Sequence, residues 1–347
     1  MNVIILICIF LSITLPSKIG VFLFFTNLVL LLLSDFIRRS ISSNTVVVFF
    51  IATLLLIQNL YFNDFYIDGV KILVLFYVLS RNAVIFSKNS LLIISRMVVV
   101  FSFLVITLQM IFPHFYLWGI ISENQYQYTN FLAGYAPLSS TGHPTHAAYI
   151  NMISSVVLFM GGGAIVYPLL GFISLLLLKN KICLLVYFLA ISIFLLKKGG
   201  SKVILLLPIV ISAAVIAYYI LFSHYINEWS GNSFNAHTIN HRLDLFNNTL
   251  ERLKEFQFIL LGEPDLVVYA GDYPFDSLLL LLITRYGILL TLFLYILIFR
   301  SSMRVGGLPL FMAITIPSLT AITFYHFSFI IYVGLLLSMK ESIFLKK

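Results

Sequence analysis

The sequence predicts an all-α polytopic membrane protein of about 12 transmembrane helices forming a single integral domain, residues 1–347. Three observations predict it. Apolar runs near the ~20 residues needed to cross a bilayer recur along the whole chain. Hydrophobic residues make up 61% of the 347 and charged residues 10%, with mean hydropathy +1.05, whereas soluble domains carry about 25% charged residues. Basic residues gather at the ends of the apolar runs, where the positive-inside rule puts them.

The apolar segments are 2–15, 19–36, 45–62, 69–86, 91–112, 146–160, 164–178, 182–196, 203–222, 276–299, 308–323 and 326–339. The first has no basic residue ahead of it and no A-x-A-type cleavage site after it, so it is read as a retained helix and not as a signal peptide. With the N-terminus in the cytoplasm, the inside connections hold Arg38, Arg39, Arg81, Lys88, Arg96, Lys197, Lys198, Lys202, Arg300, Arg304, Lys340, Lys346 and Lys347, most of the 21 basic residues. Only Asp35 and Glu341 of the 13 acids fall inside. The 7 histidines, His114, His143, His146, His224, His237, His241 and His326, all fall outside or at the outer membrane edge. Lys179 and Lys181 are the pair that fits this orientation least well.

Two outer connections, 113–145 and 223–275, exceed the ~12–15 residues beyond which a loop is usually functional or disordered. Both are dense in aromatic residues, which argues for order. Within the second, Leu243, Phe246, Leu250, Leu253, Phe256 and Leu260 recur at steps of three and four. That spacing predicts a short amphipathic helix over 241–260, lying on the membrane surface or capping the bundle.

The net charge of +8 does not imply nucleic acid, because the charge sits at span ends. Cys8 and Cys183 lie in distant apolar runs and offer neither a disulfide framework nor metal-ligand spacing. No metal is expected. No G-x-x-x-x-G-K-[ST] is present, which excludes a self-contained ATP-driven pump, and no H-E-x-x-H. The outer loops also lack a D-x-D pair, so a donor that carries its own diphosphate on a lipid fits better than a soluble nucleotide sugar.

Three polar clusters remain. STGHPTHAAY (140–149) turns at Gly142 and Pro144 into the sixth span, with Thr145 as the expected N-cap. His143 and His146 flank a helix start whose free N–H groups favour an anion, so the cluster serves a diphosphate or simply caps the interface. HRLDLFNN (241–248) and the residues after it offer Arg242 and Arg252, whose guanidinium forks match phosphate oxygens. The neighbouring acids make a solvated helix face the competing reading. The third cluster runs from GEPD (262–265) through GDYPFDS (271–277) into the span that holds Arg285. Asp272 and Asp276 stand at its mouth, and Arg285 lies ~13 Å deeper at 1.5 Å per residue. An ionised side chain at that depth marks a functional site unless it snorkels outward. His326, at the start of the last span, is either a site residue or a packing residue.

Together these segments resemble the O-antigen polymerase and O-antigen ligase family. GHPTHAAYINM (142–152) is similar to its Gly-x-x-x-Pro-Asn entry into a span, and LKKGGSKVILLLPIV (196–210) to its basic, glycine-rich span start. HRLDLFNNTLERLKEFQFILLGEPD (241–265) resembles its Arg-x-x-x-aromatic helix, and FDSLLLLLITRYGILLTLF (275–293) its return span. The chain departs from the pattern at Phe275, Thr145 and Arg285, where many members have His, Asn and an acid.

The resemblance implies a GT-C-like bundle with two long periplasmic loops in the bacterial inner membrane. It implies a metal- and nucleotide-independent glycosyltransferase, without cofactor, that polymerises polyprenyl-diphosphate-linked oligosaccharide repeats into O-antigen or capsular polysaccharide. Its partners would be undecaprenyl-diphosphate-linked oligosaccharide, membrane lipids, a chain-length regulator and a flippase. Arg242 leads for the diphosphate, joined by Arg252 and Arg285, while Lys202 falls on the inner side. His143, His326 or Asp272 would take the proton of the acceptor hydroxyl. The alternatives are an O-antigen ligase and a lipid-linked-oligosaccharide flippase or other transporter. Against the transporter stand the absence of an internal repeat and the gathering of ionisable groups at the outer mouth.

Overall fold

The computed structural model describes residues 2–38, 51–58, 69–80, 87–162, 164–199, most of 244–262, 277–319, 321, 326–339 and 342–343. Among the described residues all regular structure is helical, without strands. The order is α1 (Asn2–Thr14), α2 (Ser17–Arg38), α3 (Gly69–Ser80), α4 (Lys88–Ile111), α5 (Leu117–Ile121), α6 (Gln125–Leu132) and α7 (Pro144–Gly161). There follow α8 (Val166–Leu177), α9 (Lys181–Gly199), α10 (Phe256–Leu261), α11 (Leu278–Val305), α12 (Gly307–Thr315) and α13 (Phe327–Ser338). Each predicted apolar segment holds a helix, apart from 45–62, of which 51–58 is described and helical, and 203–222, which lies outside the described residues.

Two helices, α4 and α11, are long and apolar enough to cross a membrane by length and composition, and several shorter ones are strongly apolar. The polarity of α4 is inverted relative to a helix in water. Ile93, Met97, Leu104 and Leu108 are exposed, while Ser95, Ser102 and Gln109 are buried. The contiguous exposure of large apolar side chains marks a surface made for another apolar phase, and the fold is consistent with a membrane protein.

The chain divides into two compact units, residues 1–187, 298–317 and 323–347 in the first and 188–297 with 318–322 in the second. In the first unit α7 and α13 form the centre. Ala147 to Leu158 of α7 and Ser328 to Ser338 of α13 are buried without interruption. α7 packs against α4, α8 and α12, and α13 against α1, α2 and α3. Small residues allow this approach: a Cβ at Gly20 would strike Ser328, and one at Gly171 would strike Ser155. Where lipid is as apolar as leucine, such close contacts hold helices together by van der Waals packing. At the far end of α13, Arg304 Nη2 donates to Leu337 O at 3.1 Å, satisfying one carbonyl left over by the helix terminus.

In the second unit α11 is broken at Gly287, which takes φ 77° and ψ 167°. The predicted amphipathic helix is likewise not continuous. After the helical residues 244, 246–247 and 249–252 the chain turns at Lys254 and Glu255, and α10 then sets off anew, burying Phe258 and ending at Gly262, φ 72°. The two glycines meet: a Cβ on Gly262 would lie 2.5 Å from Thr284 O, and one on Gly287 2.7 Å from Ile259 O and Leu260 O. The interruption thus ends in a close backbone contact between the end of α10 and the break in α11. Phe246, Leu250, Phe256 and Leu260, predicted as the apolar face, remain exposed, in keeping with a face turned to lipid.

Candidate functional site

The first long connection is an ordered platform. Trp118, Phe131 and Leu138 pack together under Val105, Ile121 and Tyr128, and Trp118 Nε1 donates to Phe112 O at 2.8 Å. Gln109, fully buried on α4, clamps the backbone of Ser139 from both sides. Its Oε1 accepts from Ser139 N at 2.8 Å and its Nε2 donates to Ser139 O at 3.3 Å. Ser139 is thereby held at φ 56°, a conformation a non-glycine residue adopts only under such constraint. Gly142 (φ 75°) then lays its backbone against Ile121, and Glu123 N donates to Gly142 O at 3.2 Å. A side chain at 142 would collide with Ile121 O.

This turn delivers the chain into α7, but the cap is not Thr145. His143 is the N-cap, with Pro144 at the first helical position, where its fixed φ suits the helix and no N–H is lost. His143 Nδ1 accepts from Thr145 N at 3.2 Å. At α13 the same device recurs: His326 is the N-cap and its Nδ1 accepts from Ser328 N at 3.3 Å. The helix starts lie side by side. The His143 and His146 rings stack with centroids 4.6 Å apart, His146 and His326 are 4.4 Å apart, and Phe329 closes the group from below, 5.6 Å from His146. Lys71 of α3 stands beside it, its Nζ 4.2 Å above the Phe327 ring.

His146 Nδ1 is 3.2 Å from Glu123 Oε1, and both side chains are mostly covered. Burial alone would push the Glu123 carboxyl up. The hydrogen bond from His146 and the charges of His146, His143 and His326 outweigh it and hold the group down at about 2. Burial, reinforced by the neighbouring His146 and opposed by Glu123, pulls His143 down to about 4. His143 is therefore neutral at pH 7.

The tautomers follow from these bonds. In neutral His143 and His326 the capping Nδ1 is an acceptor, so the proton sits on Nε2 and neither ring keeps an uncommitted lone pair. The Nε2–H of His143 lies 3.2 Å from Gln127 Nε2, so the carboxamide must be turned to present its oxygen there instead. Neutral His146 has the opposite arrangement. Its Nδ1–H donates to Glu123, and Nε2 carries a free lone pair. Of the three imidazoles, His146 is the one built to accept a proton.

The structure thus brings together three histidines singled out in the sequence, His143, His146 and His326, and gives His143 and His326 a capping role. It adds Glu123, which sequence reasoning missed. Glu123 is a lone acid with no motif around it; only its place in an aromatic-rich outer connection pointed that way. Arg252 and Arg285 belong to the second unit. Arg252 pairs with Glu255 at 3.4 Å on an exposed face, the solvated arrangement that the neighbouring acids suggested. Arg285 lies two residues before the break in α11, with its Nε buried. Arg242 and Asp272 lie outside the described residues. One nitrogen from each of His146 and His326 and one oxygen of Glu123 lie within 4.8 Å of one another, a set of donors able to hold a metal ion. No spacing in the sequence announces it, because the three come from segments far apart in the chain.

Comparison with protein-family models, with characterised proteins and with solved structures finds no match for this chain.

Proposed function

We propose that this chain is a multi-pass inner-membrane glycosyltransferase that joins polyprenyl-diphosphate-linked oligosaccharide repeats on the periplasmic face. The observation that carries this reading is the Glu123–His146 pair set between the starts of α7 and α13. Carboxylate and imidazole in this order make a general base, with the carboxylate orienting the ring. A hydroxyl of one lipid-linked repeat attacks the anomeric carbon of another. The new C–O bond forms as the bond to the diphosphate oxygen breaks, the diphosphate leaves with the electron pair, and the hydroxyl proton passes to His146 Nε2.

The leaving group already carries charge, so the remaining need is for positive potential around it. Two helix N-termini and Lys71 lie at the same end of the bundle as the pair. Arg242, the arginine preferred on family resemblance, would add to them. Phe115, Tyr116, Tyr126 and Tyr135 stand exposed on the platform that carries Glu123. Aromatic faces of this kind stack on sugar rings, and a tyrosine adds a polar edge.

A deletion strain tests the reading directly. Surface glycan reduced to a single repeat, restored by the wild-type chain, supports the polymerase. Lipid-linked polymer accumulating in the membrane would reassign the chain as a ligase, and repeats trapped on the inner leaflet as a flippase.

A further inference from the structure

We propose that Glu123, His146 and His326 form a binding site for a zinc-class divalent cation, and that the bound ion shuts down the acid–base pair. The inhibitory half rests on the function proposed above; the binding half does not. Two imidazole nitrogens and a carboxylate oxygen are the donor types that zinc takes, and such a three-ligand set leaves a coordination position open to water or a diphosphate oxygen. The geometry is close to what the ion needs. Zinc bonds of 2.0–2.1 Å in a tetrahedron put neighbouring donors about 3.3 Å apart, and His146 Nδ1 already lies 3.2 Å from Glu123 Oε1. All three donor atoms lie within 4.8 Å of one another, so binding draws His326 inward toward the Glu123–His146 pair.

The donors are also held ready. Glu123 is fixed by the bond from its N–H to Gly142 O, and His146 by its place on the first turn of a buried helix. Gln127 lies against the neighbouring His143, steadying the ring stacked on His146. His326 needs the largest change. Its Nδ1 accepts the Ser328 N–H, which leaves the proton on Nε2. To ligate, it must either turn Nδ1 to the ion or move its proton to Nδ1 and ligate through Nε2, and either way the Ser328 N–H loses its acceptor. The proton now shared between His146 and Glu123 would be replaced by the ion. An imidazole ligated through Nδ1 holds its proton on Nε2, so it can no longer accept one from a sugar hydroxyl.

The test uses the full-length protein purified in detergent with a histidine-free tag, stripped with chelator and dialysed against Zn(II) or Co(II). Expected are one tightly bound equivalent and, with Co(II), the intense visible bands of a four-coordinate site. Glu123→Ala and His326→Ala should each weaken binding by at least about 10–100-fold, the loss that even outer-shell changes cause. His114→Ala, on an exposed histidine away from the cluster, should bind as the wild type does. Absence of a tight equivalent, a six-coordinate Co(II) spectrum, or unchanged binding in both variants overturns the site. Should a variant fail to fold, the wild-type stoichiometry and spectrum decide alone. In a chain-extension assay Zn(II) should stop elongation and chelator restore it; elongation that continues with the site filled overturns the inhibitory half. A filled site in protein that extends no chains, with or without chelator, would remove the polymerase reading and leave the cation site standing.

Discussion

His146 and Glu123 meet at 3.2 Å although one opens a central helix and the other sits in an outer connection between two short helices. If the pair takes the proton of the acceptor hydroxyl, His146→Ala should lower chain extension by about 10²–10⁴-fold, the usual weight of a general base. Glu123→Gln keeps the side-chain shape but loses the charge that orients the ring, and should fall between that variant and the wild type. Polymer length distributions from membranes holding equal amounts of each protein measure this. Long chains from His146→Ala would end the role given to it.

Gln109 holds the platform in register through two hydrogen bonds to Ser139. Gln109→Leu leaves a buried N–H and C=O without partners, at a cost of about 1–3 kcal/mol for each group. A lower unfolding temperature in detergent should accompany loss of activity, since the bond from Glu123 N to Gly142 O depends on the same turn. A variant as stable as the wild type would show that water or another donor satisfies Ser139.

His143 gives the chain a sensitivity to acid. Its folded value, about 4, lies below the ordinary 6.5, so protonation favours the unfolded chain. The stability it contributes is complete above pH 6.5 and is lost as pH falls toward 4. At pH 5 the loss is about 2 kcal/mol by linkage. In metal-free protein, His143→Asn keeps an N-cap of the preferred type but does not titrate. Its unfolding temperature should therefore fall less than that of the wild type between pH 7 and pH 5, and parallel curves would refute the assignment.

Gly262 and Gly287 leave no room for a side chain. Both have positive φ; a Cβ on Gly262 would strike the backbone of Thr284 to Gly287, and one on Gly287 the backbone of Ile259 and Leu260. Gly287→Ala should lower stability by several kcal/mol, beyond the range of an ordinary surface change, and raise protease sensitivity between residues 244 and 262. Leu289→Ala, an exposed position on the same helix, is the comparison.

Lys179 Nζ donates to Gly134 O at 2.9 Å, so the end of α8 lies against the platform. The lysine pair that fitted the positive-inside count least well has its first member anchored on the same side as the platform. Tyr135→Cys and Lys179→Cys should react from one side with a membrane-impermeant thiol reagent, and Ser87→Cys, at the opposite end of α4, only from the other.

The apolar segments were legible because a bilayer limits the length of each run, so charges and prolines near the ends mark the boundaries well. The start of α7 was legible too, from Gly142, Pro144 and the two histidines after the turn. Glu123 was not. Its approach to His146 depends on Gln109, Ser139 and Gly142 acting across the fold, and none of these signals a partner in sequence. His326 meets His146 only through the packing of α7 beside α13, a contact between distant segments. The break at Gly287 was hidden because one glycine within an apolar run reads as a continuous helix.

The adjoining starts of α7 and α13 constrain how the chain is threaded. Both helices leave the same end of the bundle, so between them the polypeptide must pass from side to side an odd number of times. The five apolar segments that the sequence predicts between them, 164–178, 182–196, 203–222, 276–299 and 308–323, would meet that parity if each crosses once, whereas four crossings would put His326 on the side opposite His146.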